Sequence, residues 1–118
     1  MSLKNLIKTR QVNKNFFTWN GIQVMIKDPI INPDISLQRV LVSIESKIPK
    51  NLLTNIDIIY VGDFDFLNNK NAQAVYENSC IFVTNEQDNE QDMADDIVHE
   101  IAHSLEEIYS SHIYQDQK

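Results

Sequence analysis

Asp95-Asp96-Ile97-Val98-His99-Glu100-Ile101-Ala102-His103-Ser104-Leu105 is the stretch on which the reading of this chain turns. It holds the pattern His-Glu-x-x-His. On an α-helix, residues four apart stand on one face about 6 Å apart along the axis, so His99 and His103 can aim two imidazole nitrogens at one zinc ion. Glu100, one residue further round, stands close enough to take a proton from a metal-activated water without ligating the ion.

The flanking residues predict the helix that this geometry needs. Met93, Ile97, Val98, Ile101, Ala102, Leu105 and Ile108 recur at three- and four-residue intervals as one apolar stripe. Asp92, Asp96, His99, His103 and Glu106 fall on the adjacent face. Asp88 with Gln91 is a capping pair for the start, and the acidic first turns suit the positive end of the helix dipole. The five-residue pattern arises by chance in about a few chains per thousand of this length, and the helical period around it makes chance rarer. The bland alternative is two exposed helix histidines paired with nearby carboxylates.

Composition narrows the classes. At 118 residues and 42% apolar content, the chain reads as one domain spanning residues 1–118, able to bury a single core. The net charge of −7 is concentrated late, from Glu86 to Glu107, and repels phosphate backbones, so nucleic acid is not an expected partner. No apolar run approaches bilayer length, and the first residues lack the apolar segment of a signal peptide, so a membrane is not expected and the expected location is cytoplasmic or within a virion. The single cysteine, Cys80, sits in a strand-like run and reads as a small core residue rather than a nucleophile.

Taken in order, the chain begins with a basic lead-in (Lys4, Lys8, Arg10, Lys14) that reads as a short helix or a loose segment. The Asn20-Gly21 pair between Phe16–Trp19 and Ile22–Ile26 predicts a β-hairpin. A helix is expected from Pro33, capped by Asn32 and ending before Pro49, with Ile35, Leu37, Val40, Leu41, Ile44 and Ile48 as its apolar stripe. The β-branched run Ile56–Val61 predicts a central strand, and Phe64 to Asn71 an exposed loop with phenylalanine anchors. Ala72–Tyr76 and Cys80–Thr84 read as a second hairpin turning at Glu77-Asn78-Ser79. Hairpin, helix, strand, hairpin, helix is an α+β order: a small mixed sheet with a backing helix and the His-Glu-x-x-His helix packed against it. The last hairpin would border the cleft, where a free sheet edge could take up an extended peptide as a further strand.

On Ile81-Phe82-Val83-Thr84-Asn85-Glu86-Gln87-Asp88 and Asp95-Asp96-Ile97-Val98-His99-Glu100-Ile101-Ala102-His103, the chain resembles the zincin metallopeptidases. It is similar in particular to their minimal members, the minigluzincins, and to metallopeptidases encoded by marine bacteriophages. The resemblance is specific over the last third of the chain and architectural before it. It implies a zincin-like sheet of three or four strands, a backing helix, Zn2+ held by His99 and His103, and peptide-bond hydrolysis with Glu100 as general base. The expected partner is a peptide or protein substrate. A non-catalytic role as a phage structural or assembly module is the alternative.

The resemblance is incomplete at the third ligand. A catalytic zinc site takes three protein ligands and an open position. Gluzincins supply the third as a glutamate on a further helix, and here only fifteen residues follow His103. The metzincin pattern fails as well, since Glu106 and Tyr109 stand where glycine and histidine are required. Glu106 shares the face but lies about 7 Å beyond the level midway between the histidines. His112 or Asp116 could serve if the helix ended near Ser110-Ser111 and the chain folded back; otherwise a residue beyond Lys118 or from a partner would be needed. Tyr109, His112 and Tyr114 are candidate oxyanion donors, and Asp95 or Asp96 could orient a ligand histidine.

Overall fold

Two asparagine-led turns organise the sheet. Asn20 (φ 51°) and Gly21 (φ 82°) take the left-handed backbone that a two-residue hairpin with right-handed twist requires. They join β1 (Phe16–Trp19) to β2 (Ile22–Ile26). Asn78 (φ 51°) and Ser79 (φ 66°) do the same between β4 (Ala74–Glu77) and β5 (Cys80–Thr84). The computed structural model describes residues 15–116, with side chains as far as Tyr109. The basic lead-in lies outside the described residues.

Between the hairpins, β3 (Ile58–Gly62) takes the central place its β-branched run predicts. The strand order is β1-β2-β3-β5-β4, with β3 parallel to both neighbours and each hairpin antiparallel within itself. The fold is α+β. Its sheet has five strands where the resemblance implied three or four, because both hairpins join one sheet through β3.

The helices correct several expected boundaries. The first, α1 (Leu37–Glu45), begins later than Pro33 because Ser36 caps it, its Oγ accepting the Arg39 N–H at 3.3 Å. Asn32 closes a local turn instead, accepting the Asp34 N–H at 2.9 Å. The chain then makes a single 3₁₀ turn at Lys50–Leu53, which buries Leu53. A five-residue helix, α2 (Asp65–Asn69), replaces the expected loop, anchored by the fully buried Leu67 and by Phe64 and Phe66 against Phe82. The last helix, α3 (Glu90–Asp116), is capped by Asn89, whose Oδ1 accepts the Asp92 N–H at 2.8 Å, one residue from the expected Asp88.

Alternation along the strands puts Ile22, Val24, Ile59, Val61, Ile81 and Val83 on one face, in one cluster with Leu37, Val40, Leu41 and Ile44 of α1 and with α3. The buried stripe of α3 is Met93, Ala94, Ile97, Glu100, Ile101 and Ser104. It is rotated from the expected stripe: Ala102 is exposed, and Val98, Leu105 and Ile108 are only half-buried. Burying Ile97 and Ile101 contributes roughly 1.5–3 kcal/mol each, which holds the motif-bearing turn against the sheet. No described helix is long and apolar enough to cross a membrane.

Candidate metal centre

The site lies between α3 and the edge strand β4. Ala72 to Tyr76 form one wall of a cleft of about 590 Å³, and Asp96, His99, Glu100 and His103 form the other. Asn55 pins the two walls: its Nδ2 donates to the Tyr76 hydroxyl at 2.9 Å and to the Ser104 carbonyl of α3 at 3.4 Å.

The edge of β4 offers free backbone. Glu77 faces Cys80 across the two-residue turn and the Thr84 N–H donates to the Gln73 carbonyl, so residues 73, 75 and 77 direct their backbone groups toward β5. Ala74 and Tyr76 turn theirs outward along the cleft. Among the described residues these groups have no backbone partner.

His99 and His103 converge as their spacing predicts. Their Nε2 atoms stand 3.1 Å apart, with ring centroids 4.6 Å apart and ring planes at 88°. Two nitrogens held by a tetrahedral zinc are about 3.3 Å apart, so the pair fits one ion. Both histidines are exposed to the cleft, whereas Glu100 is 6% exposed. The potential ligand atoms of all three lie within 4.8 Å of one another, and among the described residues no other histidine, cysteine or carboxylate joins them.

Glu106 is placed differently from a third ligand. Its Oε2 lies 3.3 Å from Nδ1 of His103, behind the ring and away from His99. A carboxylate only accepts, so this contact calls for a proton on Nδ1, and the neutral ring of that tautomer presents its Nε2 lone pair to a metal. The side chains of His112 and Asp116 lie outside the described residues. The helix continues through Asp116 without ending at Ser110-Ser111, which corrects the expected fold-back: on a continuous helix these residues are about 14 and 20 Å beyond His103.

The other expected helpers are also displaced. Tyr109 is 61% exposed and lies about 120° around the helix from His103, so it does not line the cleft. His112 and Tyr114, as oxyanion donors, lie outside the described side chains. Asp95 accepts from Gln91 at 2.8 Å, and among the described residues neither it nor Asp96 is bonded to a histidine. Burial pushes the Asp96 carboxyl above its ordinary value, the nearby Gln87 amide opposes it, and the charges of Asp92, Asp95 and Glu100 push the same way as burial. Cys80 is half-buried on β5, outside the inner core cluster, and burial pushes its thiol up, the opposite of an activated nucleophile.

Sequence reasoning set the last hairpin beside the cleft without singling out Tyr76 or Gln73, and it missed Asn55. The alternation of β4 could have placed Tyr76 on the inner face with Ala74. Nothing local marks Asn55, because its partners are 21 and 49 residues away. Comparison with protein-family models, with curated proteins and with solved structures returned no match.

Proposed function

We propose that this domain is a zincin-like, zinc-dependent metallopeptidase that hydrolyses peptide bonds. The observation that carries the reading is the 3.1 Å approach of the His99 and His103 Nε2 atoms inside a cleft walled by a free sheet edge. His99 and His103 would hold the zinc, with Glu106 keeping His103 in the tautomer that leaves Nε2 bare. Zinc, when bound, supplies Lewis-acid polarisation of the scissile carbonyl and acidifies water in the cleft. Glu100 accepts the proton of the attacking water and returns it to the leaving amine, its carboxylate held in place by the helix it belongs to. Ala74 and Tyr76 align the substrate by backbone hydrogen bonds, as an added strand.

The test is direct. Chain purified without chelators should carry close to one zinc per molecule and cleave members of a broad peptide library, and Glu100→Gln should keep the metal and lose cleavage. Absence of zinc from the unsubstituted chain would end this reading.

A donor set of two imidazoles and Glu100 among the described residues favours a second reading, a non-catalytic zincin-like module in phage structure or assembly. Zinc bound at full occupancy with no peptide of the library cut, in this chain and in one extended past Lys118, would favour that module over the enzyme.

A further inference from the structure

The cleft does not end at His99. Gln73 and Asp96 also line a second cavity of about 720 Å³ that carries the cleft toward the first turns of α3. Besides Gln73, three segments build it: Ile31 and Asn32 after β2, Glu86 to Asp88 after β5, and Asp92, Asp95 and Asp96 on α3. Five of these residues are acidic, and among the described residues no lysine or arginine lines the cavity. Arg39, the cation that meets the start of α3, is held by Glu90 at 2.7 Å. The helix dipole accounts for a carboxylate in the first turn, but Asp95 and Asp96 lie in the second, and Glu86 and Asp88 precede the helix.

The outward backbone groups of Ala74 and Tyr76 are an independent mark of an extended chain as the ligand, since an unpaired sheet edge is completed by another strand. Charge complementarity then specifies what that strand carries. We infer that the β4 edge takes a cationic peptide, with a lysine or arginine two to four residues from the residue at His99 and His103, selected by Asp92, Asp95 and Asp96. The spacing follows from helix and strand rise. Asp96, Asp95 and Asp92 lie about 7, 9 and 14 Å along α3 from the level midway between the histidines, and an extended chain advances about 3.3 Å per residue. This selectivity rests on the peptidase reading of the same cleft.

The experiment is fluorescence anisotropy with the Glu100→Gln chain in the presence of zinc. The probes are short, otherwise uncharged peptides bearing one arginine, or citrulline in its place. At low salt the arginine peptide should bind about five- to tenfold more tightly, with the gap closing at high salt and lost in the Asp92→Asn/Asp95→Asn variant. Equal affinities, or a gap that survives the double substitution, overturn the inference; if the double variant does not fold, the arginine-citrulline comparison decides alone. Cleavage and metal content of the unsubstituted chain are read separately. Cleavage without arginine preference sinks the selectivity and leaves the peptidase, whereas preference without zinc or cleavage sinks the peptidase and leaves a cation-selective peptide groove.

Discussion

Nδ1 of His103 lies 3.3 Å from Oε2 of Glu106, on the side of the ring opposite His99. Two turns of helix thus order three groups in a line: a carboxylate, an imidazole whose outer nitrogen faces it, and a second imidazole facing the inner nitrogen. Carboxylates behind a ligand histidine typically change metal affinity by about 10- to 100-fold. Glu106 is largely exposed, at 71%, so Glu106→Gln should weaken zinc binding toward the lower end, about tenfold. Competition with a chromophoric chelator measures this, and an unchanged affinity would deny Glu106 any orienting role.

His99→Ala and His103→Ala should each abolish stoichiometric zinc binding, read by elemental analysis after gel filtration. If the histidines serve only the surface, both variants will carry the same metal as the parent. Glu100→Gln should retain zinc while hydrolysis falls by about 10²- to 10⁴-fold, the usual contribution of a positioned base.

Asn55 ties the cleft walls together. Asn55→Ala leaves the Tyr76 hydroxyl and the Ser104 carbonyl without their shared donor and should cost about 1–2 kcal/mol in urea unfolding. Tyr76→Phe should cost less, about 1 kcal/mol, since Asn55 then keeps Ser104. Equal stability of all three proteins would mean that the bridge does not hold the walls.

Ile97 is fully buried two residues before the first histidine, so Ile97→Ala should destabilise the fold by about 2–5 kcal/mol. Thermal and urea unfolding check the magnitude. Zinc should recover part of the loss, because an ion that binds only the folded chain shifts the equilibrium by mass action.

Glu90 reaches from α3 to α1, accepting from Arg39 Nε at 2.9 Å and from the Ser36 N–H at 2.7 Å. The Arg39 guanidinium first, and the Ser36 amide second, hold its carboxyl below the ordinary value of 4.5. A depressed carboxyl binds fewer protons folded than unfolded. Its stabilisation is therefore fully present above about 4.5 and is lost as pH falls through the lower folded value. Urea midpoints should drop more steeply on acidification for the parent than for Glu90→Gln, and parallel curves would remove this pair from the acid response.

Much of the frame was legible because its signals are local. Asn20-Gly21 marked a turn that needs two left-handed residues, the Ile56–Val61 run marked the central strand, and the four-residue spacing of His99 and His103 placed two rings on one helix face. Boundaries were less legible. Ser36 and Asn89 won the caps over Asn32 and Asp88 because Glu90 and Arg39 bind across α1 and α3 at that point, which no single segment reveals. The stripe of α3 was rotated from the expected one because Ser104, a polar residue, is fully buried under Asn55, displacing Ala102 to the surface.

The order of residues alone determined the elements and the approach of the two imidazoles, since backbone preference and helical period act within a few residues. Only the tertiary structure decided that β4 is an edge, that Tyr76 and Asn55 close the wall beside His103, and that five carboxylates from separate segments meet in one cavity. Those relations depend on how distant segments pack against a shared core. No window of sequence contains both partners of such a contact.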